Sequence, residues 1–367
     1  MSTATFYPHH FKKTRAYSKA YIAEMTEAIT AGTLNPKIGF DISAKHIAKA
    51  YFDQGMSRSE FEANVHGYTV ENQIALAYGE WMNAGSALYV FEPELADALQ
   101  QTRVGEITLS DVQFPFDHAY IHFGPRPDLV LHTGAMVTGA FVLWYPGQAL
   151  RIMLTAPLPD EAPLASRAAE AYELRILAQR FDMKLDQAIA QALEDDYDDV
   201  RIAVEKMSAQ NAGRAQANKN AGDFFMERHS LNKNVFSRSV ELIVNALCYI
   251  TAFPEDTQEG WPATAPEKLT SKAETGTPKE KARAQSKLYA LGHLRVRRVG
   301  MDFAKAMRKP TGGITPHWRT GHWRPQAYGP KHSLRKIIWV RPTRVMGGAV
   351  SDEPRVYHTT KPDGSKQ

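Results

Sequence analysis

Histidine, tryptophan and arginine are concentrated near the C-terminus in a unit that begins at His317 and again at His322, each time as His-Trp-Arg. Imidazoles exchange protons near neutral pH, guanidinium groups bind phosphate oxygens, and indoles stack on unpaired bases. These three chemistries within one short stretch predict a surface that binds RNA or a site that cleaves it.

The stretch around this doubled unit is strongly basic. Residues 287 to 345 contain 14 lysines and arginines but one acid, Asp302, which gives about +13, whereas the whole chain is formally +4. The rest of the chain is therefore about −9. Charge separated in this way predicts an acidic partner for one end only.

RNA binding and RNA cleavage make different demands on these residues. Binding uses cations against phosphates and aromatic faces against bases. Cleavage without a metal would use His317 and His322 as general base and acid, with Arg319 or Arg324 stabilising the charge of the phosphorane. The side chains predicted to contact RNA or phosphate are Arg319, Trp323, Arg324, Lys331, Arg335 and Lys336.

A metal site and a purely structural role are the other interpretations of this stretch. Zinc on His317, His322 and His332 is disfavoured, because cations surround these histidines and neither a carboxylate nor a thiolate lies close in sequence. We predict neither a metal nor another cofactor. Tryptophans of a small basic β module can also form its core, and Trp339, in the apolar run IIWV, is the strongest candidate for that role.

The remainder of the chain predicts an α+β architecture. Helical periodicity with capping signals extends from about residue 14 to 99. Short stretches rich in β-branched and aromatic residues then predict an antiparallel sheet from residues 104 to 158. Two helices are predicted for 164–207, a polar loop for 211–222, and a long helix that becomes apolar for 232–253, which would pack against the sheet.

This pattern divides into four regions. Residues 1–254 form a helical and antiparallel-sheet body, the expected protein-recognition part. Residues 255–285, rich in Pro, Thr, Lys, Glu and Ala, predict a flexible linker. Residues 286–348 form a small basic β-rich module, and 349–367 a disordered tail.

Other polar groups have less specific interpretations. His118, His122 and His132 lie on predicted strands or turns, and ordinary structural roles are favoured over metal binding. The acids between Glu194 and Asp199 point around a helix axis, which favours a solvated face over a cation site. A minor alternative is contact with the basic module.

The single cysteine, Cys248, lies in an apolar run and predicts a buried free thiol. A chain without a disulfide framework fits a reducing compartment. The first 21 residues lack the apolar stretch of a secretion signal, and no run of about 18 uninterrupted apolar residues occurs. We therefore expect a cytoplasmic protein that does not span a membrane.

The basic stretch resembles the C-terminal signature of a known family. That family is the type V-A anti-CRISPR group whose members suppress production of the type V-A effector nuclease. The order of helices, central strands, long apolar helix and polar segment is similar as well. The residues that carry the resemblance are His317, Arg319, Gly321, His322, Trp323, Gly329, Trp339, Pro342 and Val345.

The resemblance implies a phage- or plasmid-encoded inhibitor of host defence. It would recognise its target polypeptide as that chain emerges from the ribosome, and it would cause loss of the corresponding mRNA. Its partners would be a CRISPR effector, with RNA or the ribosome, and its centre would be His322 and Trp323. The alternatives are a metal-independent ribonuclease that uses His317 and His322, and an inhibitor that binds protein alone.

Overall fold

The computed structural model describes residues 6–63, 65–104, 107–210, 215–262, 264–291, 293–308, 317–328, 330, 334–341 and 343–345. Eleven α-helices and twelve strands lie in these ranges. The helices are α1 (Tyr7–Thr14), α2 (Ser18–Thr30), α3 (Pro36–Asp53), α4 (Arg58–Ala63), α5 (Val65–Asn83), α6 (Pro93–Gln100), α7 (Leu185–Gln210), α8 (Ala215–Ala252), α9 (Glu267–Thr275), α10 (Pro278–Ala290) and α11 (Met301–Met307).

The strands form one large sheet and two small ones. The large sheet has seven strands in the order β6-β5-β4-β3-β1-β8-β7, and the small sheets have the orders β11-β10-β2 and β12-β9. The strands are β1 (Ala87–Phe91), β2 (Thr102–Arg103), β3 (His118–His122), β4 (Gly139–Tyr145), β5 (Ala149–Thr155), β6 (Ala171–Leu177), β7 (Thr257–Gly260), β8 (Val296–Val299), β9 (His317–Arg319), β10 (Gly321–Tyr328), β11 (Leu334–Val340) and β12 (Thr343–Val345).

The large sheet is mostly antiparallel, and the predicted α+β class is confirmed. Strands β3 to β6 form an antiparallel meander. Strand β1 runs parallel to both β3 and β8, and β7 closes the other edge antiparallel to β8. Parallel neighbours need long connections, and the pairing of β1 with β8 joins parts of the chain that are distant in sequence.

Helices cover both faces of the large sheet. Along β4, Phe141 and Leu143 pack in one core with α1, α2, α3 and α5. The alternate residues Ala140 and Val142 pack in a second core, with α6, α7 and α8. Because both faces are buried, β4 is a continuous apolar run and does not alternate apolar with polar residues. The protein therefore has three layers.

Several local predictions are wrong. Residues 164–177, predicted as helix, form a 3-10 helix and then β6, where the alternating residues of AYELRIL bury one side against the second core. The described part of segment 104–112 forms a 3-10 helix, Leu109–Asp111, started by a capping box between Thr108 and Asp111. Helix α8 begins at Ala215, within the predicted polar loop.

The segment predicted as a flexible linker, 255–285, is also corrected, because its described residues form β7, α9 and most of α10. Thr277 and Glu280 make a capping box, with Pro278 in the first turn of α10. Trp261 packs on a small core between α9 and α10. Asp256 is buried, and it accepts hydrogen bonds from the Tyr249 hydroxyl at 2.7 Å and from backbone N–H groups of α11.

The predicted basic module, 286–348, is continuous with the body. Strand β8 lies inside the large sheet between β1 and β7. Strand β2 of the body pairs with β10 of the C-terminal part. Charge composition marks a change in surface here, but backbone pairing joins the two parts. The predicted tail, 349–367, lies outside the described residues.

Helix α8 is the longest helix and passes through the second core. Its part Met226–Ala252 is long and apolar enough to cross a membrane by length and composition, and 67% of its most apolar window is buried inside the protein. Such a helix is typical of the centre of a globular fold as well. Cys248 is buried on it, as predicted, and burial raises the pKa of its thiol to about 12.

A buried network of charges joins the N-terminal helices to the sheet. Arg15 bridges two carboxylates, with Nη1 2.6 Å from Glu170 and Nε 2.9 Å from Glu71. Glu170 also accepts a hydrogen bond from Arg167 at 2.8 Å, and His10 Nε2 lies 2.8 Å away. Burial opposes ionisation of Glu170, but His10 and Arg15 outweigh it and lower the pKa of this carboxyl to about 2. These side chains act as a unit, because each buried charge is compensated by its neighbours instead of by water.

Replacing Glu170 with Gln should lower the free energy of unfolding by about 3–5 kcal/mol, because it leaves buried cations without a full countercharge. The depressed pKa stabilises the fold above the ordinary value of 4.5, and this contribution is lost as the pH falls from 4.5 toward 2. The variant should therefore lose less stability than the wild type across that interval. Urea unfolding at several pH values measures both effects.

The matched control is Asp53→Asn, which breaks an exposed i,i+4 pair with Lys49. It should change the unfolding free energy by less than about 0.5 kcal/mol. Equal effects of the two substitutions would show that the buried network does not stabilise the fold.

Candidate nucleic-acid interface

Strands β10 and β11 form an antiparallel hairpin at the centre of the basic stretch. Seven residue pairs are in register, from His322 opposite Val340 to Tyr328 opposite Leu334. The first residues of β10 also pair with β2, in parallel. The hairpin is thereby fixed to the body along one edge.

Side chains along β10 alternate between the core and solvent. Trp323 is 3% exposed, whereas His322 and Arg324 on either side of it are exposed. Trp339 is the cross-strand partner of Trp323, and the two indoles stack with centroids 5.7 Å apart and planes at 18°. Because side chains alternate between the two sides of a strand, both tryptophans lie on the core side of the hairpin, and His322 and Arg324 lie on its solvent side.

A buried amide helps to anchor this hairpin. Asn245 of α8 is buried, and its Oδ1 accepts a hydrogen bond from Trp323 Nε1 at 2.6 Å. Its Nδ2 donates to the carbonyl oxygens of Leu99 and Thr102, both at 2.9 Å. Trp339 Nε1 donates to Thr102 Oγ1 at 3.2 Å. The hairpin, β2, α6 and α8 therefore meet at one satisfied polar cluster.

Sequence reasoning missed Asn245. Its signal was a lone amide inside the apolar run ELIVNALCYI, where an unpaired polar group would be costly. Such a residue indicates a specific buried partner, although the sequence does not say which one.

Arg341 follows directly after β11 and packs on aromatic rings. Its guanidinium carbon lies over three rings, 5.6 Å from the centroid of Phe253 and 5.8 Å from those of Phe303 and Trp339. Cation–π contacts of this kind stabilise a cation while its edge stays in water. This arginine therefore contributes to packing as well as to surface charge.

The base-stacking role predicted for Trp323 is corrected by its burial. Its faces are covered in the second core, so it offers no open surface to an unpaired base. Trp339 is 8% exposed, which confirms its predicted core position. His322, the other predicted centre, is on the solvent side.

The remaining predicted RNA-contacting residues are described only in part. Arg319 and His317 lie on β9, where the backbone of Arg319 is opposite Thr343 and that of His317 opposite Val345. His322 and His317 therefore belong to different small sheets. In β11, Arg335 is in register with Ala327 and Lys336 with Gln326, while Lys331 and His332 lie outside the described residues.

The first part of the basic stretch is neutralised by acids from earlier in the chain. Glu92, at the start of α6, is 6% exposed and binds two arginines. Opposite charges therefore help to hold the C-terminal part in place. These ion pairs join Arg298 and Arg308 to Glu92, Arg308 to Glu94, and Arg295 and Arg297 to Glu259.

The acidic cluster on α7 pairs with nearby basic residues of the body. Four of its members make such contacts, which replace the suggested contact with the basic stretch. The pairs are Asp195 with Arg180, Asp196 with His229, Asp198 with Arg201, and Asp199 with Arg175.

Within the described ranges, no three His, Cys, Asp or Glu side chains come together in a way that could hold a metal ion. His118 Nδ1 bonds the Asp117 carbonyl, and His132 Nδ1 lies 2.8 Å from the Asn232 amide nitrogen. His122 is buried, and burial lowers its pKa to about 4. The imidazole of His122 is therefore neutral at physiological pH.

The comparisons with known proteins bear on the whole arrangement. The model of the AcrVA2-like family, the anti-CRISPR type V subtype A2 family, matches residues 89–347. The chain belongs to this family. The match extends from β1 through the C-terminal hairpin. Membership of this family supports an anti-CRISPR inhibitor role for the protein, with a CRISPR-related target.

A solved structure is also similar to this AcrVA2-like protein. The crystal structure of AcrVA2 aligns over 92% of this chain and 99% of that chain, with 12% sequence identity and a TM-score of 0.42. No curated protein sequence matches. Membership of the AcrVA2-like family rests on the match over residues 89–347.

The Trp323→Phe substitution should test the amide anchor. Phenylalanine keeps an aromatic ring but leaves Asn245 Oδ1 without its donor, which should cost about 1–3 kcal/mol of unfolding free energy. Denaturant unfolding measures the loss. The neighbouring Arg324→Ala, at an exposed position of the same strand, should change the same quantity by less than about 0.5 kcal/mol. An equally small effect of Trp323→Phe would contradict the anchor.

Proposed function

We propose that this family member inhibits a type V-A CRISPR effector by recognising the effector polypeptide during its synthesis and causing loss of its mRNA. The match to the anti-CRISPR type V subtype A2 family over residues 89–347 carries the inhibitor role. In this proposal the protein acts in the cytoplasm, where translation occurs, and is encoded on a phage or plasmid.

The junction between body and hairpin supports a link between protein recognition and RNA. Rigid elements hold two binding surfaces in a more precise relative position than a loose tether does. Asn245 and Thr102 hold the hairpin directly against α8, α6 and β2. The cations at its surface are thus carried by the same unit that would bind the polypeptide.

Surface charge also supports an approach to RNA or the ribosome. Arg324 and Arg341 are exposed on the hairpin side, at the opposite end of the basic stretch from the arginines that Glu92 neutralises. Unpaired cations attract phosphate over distances set by ionic strength. Binding of this kind needs neither a metal nor another cofactor.

A pair of reporter messages tests the proposal. One encodes the N-terminal part of the effector, and the other has nearly the same nucleotides but is frameshifted so that it encodes a different peptide. Co-expression with the inhibitor should lower the amount of the first message several-fold and leave the second unchanged, because recognition requires the correct nascent chain. Quantitative RNA measurement, with a start-codon mutant as the untranslated control, gives the result.

The other outcomes identify the alternatives. Equal loss of both messages would indicate an action on RNA itself. Cleavage of RNA by the purified protein in EDTA, abolished by His322→Ala, would then identify a metal-independent ribonuclease. Binding of the finished effector with no change in either message would indicate an inhibitor that acts on protein alone. Equal loss of both messages would overturn the proposal, and so would binding of the finished effector without a change in either message.

A further inference from the structure

Three residues from two distant parts of the chain lie on the solvent-facing side of the small sheet formed by β2, β10 and β11. His322 and Arg324 come from β10, and Arg103 comes from β2 of the body. Arg103 is the in-register partner of His322. All three are exposed. Neither helical periodicity nor the C-terminal charge count draws attention to Arg103, because it lies far away in sequence.

The backbone places these three residues on one face. Residues paired in register on neighbouring strands project to the same side, and strands lie about 4.8 Å apart. Residues two apart on one strand also share a side, separated by about 6.6 Å. Trp323, between His322 and Arg324, points to the opposite side and is buried. The three residues therefore lie on one face of the small sheet, with backbone spacings of about 5 to 8 Å.

The two arginines of this face differ from Arg298 and Arg308 in their pairing with acids. Within the described part of the chain, Arg103 and Arg324 make no ion pair, whereas Arg298 and Arg308 are paired with Glu92. Each guanidinium offers five N–H donors, and a neutral imidazole offers one. Two guanidinium groups at this spacing fit adjacent phosphates of a chain, and the imidazole N–H can donate a further hydrogen bond to a phosphate oxygen.

The face is held in place from below. Thr102, which precedes Arg103, donates its hydroxyl to the Ala98 carbonyl at 2.9 Å, and its own carbonyl accepts from Asn245. Trp323, which separates the two β10 residues, donates to the same amide. The Asn245 amide therefore contacts both strands that carry the arginines, so the backbone of the face is ordered before a ligand binds.

We propose that Arg103, His322 and Arg324 form a binding site for the phosphodiester backbone of single-stranded RNA. The site rests on the RNA approach in the proposed function and specifies its chemistry. Because Trp323 is buried beneath the site, recognition is electrostatic and independent of base sequence. Arg103 makes the body itself, and not only the C-terminal stretch, part of the RNA contact.

Fluorescence anisotropy of the full-length protein with a labelled single-stranded RNA of mixed sequence tests the site. In a salt titration, Arg103→Ala and Arg324→Ala should each weaken binding and reduce the slope of log affinity against log salt by about 0.7, the value for one lost phosphate contact. The double variant should lose about 1.4. Arg103→Lys should restore most of the slope, because it keeps the charge.

Arg283→Ala is the matched control. Arg283 is an exposed arginine on α10 and also makes no ion pair among the described residues, so its loss should leave the slope unchanged. Thermal unfolding should be the same for all variants, because the three positions are at the surface. An unchanged slope in the double variant, or an equal loss in Arg283→Ala, would overturn the site.

A second probe separates backbone from base recognition. An oligomer with the same bases on an uncharged backbone should not bind, and equal binding of it would overturn the proposal. Polyglutamate should compete poorly with RNA, and competition equal to that of RNA would indicate an acidic polypeptide partner instead. These results are independent of the reporter messages. Variants that lose RNA binding but still lower the amount of the first message would leave the proposed function standing. Messages that do not respond to the wild-type protein would contradict the proposed function and leave the binding site standing.

Discussion

The position of the C-terminal hairpin depends on one buried amide. Asn245 lies on an otherwise apolar stretch of α8 and exchanges hydrogen bonds with an indole and two backbone carbonyls. In a low-dielectric interior such bonds are strong and directional, and an unpaired partner is costly. The amide therefore accepts one arrangement of the hairpin, β2 and α6, whereas apolar packing alone would tolerate several.

Positive charge has two different uses in this protein. Near the body, arginines of the basic stretch are matched with acids such as Glu92 and Glu259, which aligns β8 and α11 with the sheet. Further along, Arg324 has no acidic partner among the described residues and faces solvent. A net charge calculated from sequence adds these two groups together. The three-dimensional arrangement separates cations that hold the fold from cations free to attract a ligand.

The elements with local signals could be predicted from sequence, whereas those set by distant contacts could not. Strands β3 to β5 follow from periodicity and turn residues, whereas β6 was predicted as helix. The segment 255–285 has a linker composition, but pairing of β7 with β8 and the capping box at Thr277 order it. The candidate site shows the same division. His322 and Arg324 stand out by type, but Arg103 joins them through a strand pairing that no local pattern encodes, and Trp323 looked functional because burial cannot be read from residue type.

The place of β8 in the large sheet has a consequence for the protein's own biosynthesis. Strand β1 pairs with β8, yet about 200 residues of chain separate the two. At typical elongation rates, β1 waits on the order of 10–40 s before its neighbour leaves the ribosome, and during that time one of its edges is open. Contacts so distant along the chain also slow folding. The large sheet can therefore be complete only after β8 has left the ribosome, and the surface built from β2 and β10 only after β10 has followed it.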